Sequence, residues 1–308
     1  MSFVRSCGKL AATPWQTIRG QILAVLVTSL ILLSFGTVFP PFAGEATAVT
    51  QPNGKVSDAS TAPSNHAVLA AQRHGDYFLV ETLNFRIWSR LNSAETMEFT
   101  KRCETVRSDL REIWLSESDA SGIWTPKADV VVHRSVVEFG AALGPQNAGS
   151  SGCTKVQRVN GRITLRRIDL RADAHGWNTS SMSHEVTHLI VADRFGGRRL
   201  PRWADEGMAV LAESREKQAQ RQRVASLAPA ISLSRLLSVA EYPGGRDRDA
   251  FYAQSASLTD YLVRHGGGVQ FLAFVESAME SGHDIALREY YDLEGLHDLE
   301  TKLTSKHQ

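Results

Sequence analysis

The segment SHEVTHLIVADRFGGRRLPRWADEGMAV, residues 183–210, constrains this chain more than any other. His184 and His188 stand four apart with Glu185 between them, and Glu206 follows eighteen residues after His188. Side chains four apart on a helix project from one face, one turn above another, so the two imidazoles can hold one ion between them. Glu185 then lies beside the ion without being a ligand, placed to accept a proton from a water held there. Gly196 and Gly197 mark a turn, and Pro201 with Trp203 opens a second helix, which lets one helix return beside the other.

A catalytic zinc ion keeps three protein ligands and one open position. In one known pattern a glycine and a histidine follow at fixed steps within the same segment, but those places hold Val191 and Arg194 here. In another, a glutamate on the following helix completes the set; Glu206 fits, and Gly207 beside it permits close backbone approach. The competing reading is a pair of satisfied histidines on an amphipathic helix, which leaves the matched glutamate on the second helix unexplained.

HEVTH followed by LPRWADEGMAV resembles the gluzincin zinc metallopeptidases, specifically the peptidase MA-like group of exported bacterial proteins. The likeness extends over about residues 130–303 and includes FYAQSASLTDYLVRHGG, similar to that family's Y-x-x-S-x-x-x-x-x-Y-L segment. The resemblance implies a zincin-like fold, a Zn2+ cofactor held by His184, His188 and Glu206, Glu185 as general base, and Tyr252 as stabiliser of the tetrahedral oxyanion. It also implies a peptide or protein substrate. The G-x-M-E-N segment with which aminopeptidases of this clan hold a free amino terminus is missing from the sequence, so endopeptidase action is expected.

Several neighbouring residues carry a bland reading beside a sharper one. Tyr252 on an amphipathic helix can be packed core instead of a donor to the oxyanion, and Tyr242 is the weaker candidate for that role. Glu213 is read as facing solvent, with support of a metal ligand as the alternative. Arg198, Arg199 and Arg202 read as a solvated loop, or as a site for a substrate carboxylate. His175, His265 and His283 have no ligand spacing and read as surface residues.

The remaining pattern predicts an α+β fold, with a small mixed sheet at the N-terminal side, including an edge strand, and a mainly helical half after it. YFLVET, NFRIWS and DVVVH read as strands, and residues 94–114 as an amphipathic helix. In GRITLRRIDLRAD, Ile163, Leu165 and Ile168 alternate with arginines, which predicts an edge strand over residues 163–170 able to pair with an extended peptide. Helices are expected over 177–194, from Pro201, and over 249–264, 269–280 and 284–291.

The first residues differ from the rest. Arg5, Lys9 and Arg19 precede the apolar run ILAVLVTSLILLSFGTVF, residues 22–39, and small residues follow it. This order predicts a signal peptide or signal anchor over 1–48, a flexible linker over 49–75 and a zincin-like metallopeptidase domain over 76–308. The folded domain is therefore expected outside the cytosol: periplasmic, secreted, or attached to the membrane through the N-terminal segment alone if it stays uncleaved. Beyond Cys7 the chain has Cys103 and Cys153, which in an oxidising compartment form one disulfide or remain two unpaired thiols. A net charge of +1 provides no broad basic field, so nucleic acid is not an expected partner. The expected function is a zinc-dependent endopeptidase; an envelope binding module with a non-catalytic zinc site and a hydrolase of a non-peptide amide are the alternatives.

Overall fold

The computed structural model describes residues 67–305, apart from 117–121, 148, 228 and 229. The expected leader over 1–48 and most of the expected linker lie outside the described residues. Among the described residues, no helix is long and apolar enough to cross a membrane.

Six strands form one mixed sheet in the order β1-β2-β3-β4-β6-β5. They are β1 (Ala70–His74), β2 (Tyr77–Glu81), β3 (Phe85–Ser89), β4 (Ala128–His133), β5 (Gly152–Val159) and β6 (Arg162–Arg171). β4 runs parallel to both β3 and β6, whereas the other neighbours are antiparallel. Strand β1 falls within the expected linker. All five of its residues are exposed, so no apolar alternation betrays it.

The strand expected at the edge is not there. β6 lies inside the sheet between β4 and β5, and the edge is β5. A two-residue turn, Asn160 (φ 51°) and Gly161 (φ 77°), joins β5 to β6. Both residues adopt the left-handed conformation that matches the twist of a tight hairpin. VNGR carries this hairpin signal in the sequence. The arginines within β6 are compatible with an interior position because their charged heads find partners: Arg166 reaches Asp193, Arg167 binds both oxygens of Asp169 and Arg171 pairs with Asp173.

Helix α1 (Ser93–Trp114) begins at Asn92, whose side chain accepts from the Glu95 amide while Glu95 reaches back to the Asn92 amide. That reciprocal cap satisfies two otherwise orphaned donors. Its face of Phe99, Cys103, Leu110 and Trp114 is buried in the core. Helix α2 (Val136–Leu143) follows β4, and the helical half then comprises α3 (Met182–Arg194), α4 (Arg202–Leu211), α5 (Arg215–Ala225), α6 (Leu233–Leu237), α7 (Gly245–Ser281), α8 (His283–Tyr291) and α9 (Leu296–Ser305). Helix α7 is broken at Gly267 (φ 76°), and at Gly268 a Cβ would run into the Ile113 carbonyl and the Trp114 ring of α1. The expected α+β architecture is the observed one, a mixed sheet followed by a mainly helical region.

The core joins the sheet residues Val130, Val132, Ile168 and Leu170 to Met182, Val186, Leu189 and Ile190 of α3. On its far side Trp203 of α4, 1% exposed, packs against Phe271 and Phe274 of α7. Truncating such an indole to alanine costs about 3–5 kcal/mol. Cys103 and Cys153 are both free thiols: Cys103 is buried from α1, while Cys153 stands on the edge strand opposite Asp169. Burial raises the pKa of both thiols, that of Cys153 to about 11.

Candidate functional site

Helix α3 is anchored at its start from two sides. It is preceded by a wide turn, Trp177–Ser181, in which the Ser181 hydroxyl bonds Ser151 before β5 and Ser180 bonds Ser214 before α5, each at 2.8 Å. With the apolar face turned to the core, the helical period directs His184 and Glu185 into a cleft and sets His188 one turn beyond His184 on the same face. Helix α4 returns beside α3 after the Gly196-Gly197 turn. It can lie close against α7 because Gly207 has no Cβ, which would otherwise stand 2.7 Å from the Ser255 carbonyl oxygen and collide with the Thr259 side chain.

The turn and the close approach bring Glu206 to the two imidazoles. Glu206 Oε2 is 3.4 Å from His184 Nε2 and 4.0 Å from His188 Nε2, and one ligand atom from each of the three residues lies within 4.8 Å of the others. Each ring has a carboxylate near its other nitrogen: His188 Nδ1 is hydrogen-bonded to Asp205 Oδ1 at 2.7 Å, and His184 Nδ1 is 3.0 Å from Glu213 Oε1, an ion-pair contact without the alignment of a hydrogen bond. This arrangement holds the rings with their Nε2 atoms towards the shared space, as second partners of metal-ligating histidines do. Glu206 is also divided in function. Its Oε1 accepts from the Tyr242 hydroxyl at 2.5 Å, whereas its Oε2 is buried without a hydrogen-bond partner. An orphaned carboxylate oxygen facing two imidazole nitrogens suits a divalent cation with mixed nitrogen and oxygen ligands.

The electrostatics agree with that donor set. Burial opposes charge on His184, yet Glu206 and Glu213 outweigh it and raise the pKa to about 9. Burial likewise opposes charge on His188, and Asp205 foremost, with Glu206, overcomes it. Glu206 is pulled the other way: burial favours its neutral form, but the two histidines hold it well below the usual carboxylate range. Without metal the pocket therefore favours positive charge between its carboxylates, in the place a cation would occupy.

Glu185 is held from β5. Thr154 Oγ1 lies 2.7 Å from Glu185 Oε2 and 3.0 Å from the Glu185 carbonyl oxygen, and the bare backbone of Gly152 makes room for the carboxylate. Tyr252, on α7, has its ring 6.4 Å from that of His184 and stacks on Tyr242 at an interplanar angle of 12°. Burial and the nearby Glu206 raise its pKa, keeping the phenol protonated as a donor. Its hydroxyl has no hydrogen bond within the described residues. His184, Glu185, Glu213 and Tyr252 all line one cleft of about 950 Å³.

The structure thus gathers His184, Glu185, His188, Glu206 and Tyr252 at one place. It corrects the reading of Glu213, which is 7% exposed, braces His184 and binds Arg221 through both oxygens at 2.6 and 2.7 Å. Glu213 lies seven residues after Glu206, two positions past the end of α4, and a step of seven, which returns to the same face of a helix, is the signal for it. Asp205, Thr154 and Gly152 carry no comparable signal. The alternative reading of the interhelix arginines as a carboxylate site finds no support at two of them: Arg198 pairs with Glu276 and Glu280, and Arg202 stacks 4.1 Å over the Tyr242 ring. Of the three unassigned histidines, His175 and His265 are exposed, whereas His283 is half-buried.

A family model described as Peptidase MA superfamily matches residues 159–304, the segment holding β6, the histidine pair, Glu206 and both tyrosines. A comparison with curated proteins found no match.

Proposed function

From the premise that residues 159–304 match the Peptidase MA superfamily, and so point to a peptidase, we propose that this protein is an exported zinc-dependent endopeptidase. One observation carries the reading: Glu206 Oε2, buried and without a hydrogen bond among the described residues, faces the Nε2 atoms of His184 and His188 at ion-pair distance, while a fourth group, Glu185, is held beside them by Thr154. A purely structural ion has no use for that fourth group.

His184 Nε2, His188 Nε2 and Glu206 Oε2 would hold the ion, leaving a position open to water and substrate. Zinc bound there would lower the pKa of a water towards ~7 and polarise the scissile carbonyl. The work of this chain's own residues follows from their positions. Glu185 accepts the proton of the attacking water and returns it to the departing amine, and the Thr154 hydroxyl fixes the carboxylate for both transfers. Tyr252, neutral and without another acceptor among the described residues, donates to the oxygen on which negative charge develops. Asp205 and Glu213 keep the imidazoles oriented throughout. Strand β5, paired among the described residues with β6 alone, offers its other edge to an extended substrate backbone. Export is read from the leader-like residues 1–48, and internal cleavage from the missing segment for a free amino terminus.

The test combines metal analysis with cleavage of a peptide library by the wild type and by Glu185→Gln. Both proteins are expected to retain one zinc ion, with the variant slower by about 10²–10⁴-fold. A library left intact by metal-loaded wild type, or cut equally well by the variant, would sink the proposal.

A further inference from the structure

The cleft beside Glu185 and Tyr252 runs between α5, the first turn of α7 and the loop before β5. Two of its cations are spent internally: Arg171 pairs with Asp173 at 3.0 Å, and Arg221 binds Glu213. Lys217, Arg223 and Arg248 line the same cleft, and among the described residues none of them has a carboxylate within ion-pair distance. Of the lining carboxylates outside the metal centre, Asp249 remains, and Glu216 lies 4.0 Å from His175.

Arg248 is distinguished by position. It stands four residues before Tyr252 on α7, so both project from the same helix face and Arg248 sits one turn further out from the reacting centre. Its Nη2 reaches to 3.8 Å from where a Cβ of Gly149 would be, which places the guanidinium across the cleft, between α7 and the loop leading into β5. Strand β5, along which the proposed substrate would lie, begins three residues after Gly149.

We propose that this cleft reads a carboxylate on the substrate, with Arg248 as the specificity-determining residue and Lys217 and Arg223 supplying the surrounding field. The inference rests on the peptidase reading of the same site. The recognised group is an acidic side chain or the free C-terminus of a peptide, because a guanidinium offers paired N–H donors that match either carboxylate. Of the interhelix arginines, Arg198 is engaged by Glu276 and Glu280 and Arg202 by the Tyr242 ring, and neither they nor Arg199 line this cleft.

Binding separates this inference from the chemistry. Zinc-loaded Glu185→Gln protein is titrated with labelled peptides of equal length that carry Glu or Gln at one position, each with a free or amidated C-terminus. Carboxylate-bearing peptides are expected to bind roughly fivefold tighter, an advantage that fades with salt and is abolished or inverted by Arg248→Glu. Loss of the advantage on amidation assigns it to the terminal carboxylate, and its persistence assigns it to the side chain. Equal or undetectable binding of acidic and neutral peptides overturns the inference, as does a preference that Arg248→Glu leaves intact. Carboxylate-selective binding combined with a wild type that cuts none of these peptides would instead overturn the peptidase reading and leave the subsite standing.

Discussion

Gly152 and Glu185 occupy each other's space: a Cβ on Gly152 would stand 2.7 Å from Glu185 Oε1 and 2.8 Å from its Cγ. The edge strand is therefore bare where the proposed general base needs room, and Thr154, two residues on, holds the other carboxylate oxygen. Gly152→Ala should leave the fold intact, because the group displaced is the flexible end of a side chain. It should nevertheless move Glu185 away from its hydrogen bond. A fall in kcat of tenfold or more is expected, on the order of 1.4 kcal/mol, with zinc content unchanged. Kinetics and metal analysis of the same preparation check this, and wild-type kcat in the variant would refute the link.

Glu213 connects the proposed ligand His184 to Arg221. Replacing it by Gln keeps the shape and removes the charge, so His184 loses an electrostatic brace and Arg221 its bidentate partner. Zinc affinity is expected to drop by about 10–100-fold. Competition with a chromophoric chelator measures this directly, and an unchanged dissociation constant would show that the contact is incidental.

Tyr242 acts on Glu206 from a loop, 43% exposed, with Arg202 over its ring and Tyr252 stacked against it. By occupying Oε1 it leaves Oε2 as the oxygen turned to the histidines. Tyr242→Phe retains the ring contacts and deletes the hydroxyl alone. Zinc affinity should weaken by several-fold, and because Glu206 is buried the metal-free protein should lose about 1–3 kcal/mol, the cost of leaving a charged acceptor unpaired. Chelator competition and a melting curve test both halves of the statement.

Away from the cleft, Asp169 supports the sheet. Burial works against its charge, but the two bonds from Arg167 and the 2.7 Å contact with His133 Nε2 lower its pKa. Because the folded pKa lies below the unfolded value of about 3.9, this stabilisation is fully present above that pH and is lost as pH falls through the folded value. Asp169→Asn should cost roughly 3 kcal/mol at neutral pH, and the gap from wild type should narrow below pH ~3.9. Urea unfolding at both pH values measures the gap, and a difference independent of pH would contradict the assignment.

What the sequence determined by itself was local. The four-residue step from His184 to His188 needs only a helix to share a face, and Gly196, Gly197 and Pro201 mark the break after which Glu206 rides a second helix. The order of strands before helices and the limits of α1 were legible for the same reason: a period of 2 or 3.6 is written in consecutive residues. Tertiary structure decided what depends on meetings between distant segments. Thr154 reaches Glu185 across thirty-one positions, and Tyr242 reaches Glu206 across thirty-six. Neither partner carries a local mark, because a threonine or tyrosine reads alike whether it faces solvent or a carboxylate. Strand β5 took the sheet edge from β6 on the strength of a two-residue turn, and Glu213 became a buried brace only when α5 brought Arg221 alongside it. Burial decides such pairings: a charged group withdrawn from water must find its partner in whatever segment the packing brings near, and that neighbour is a property of the fold.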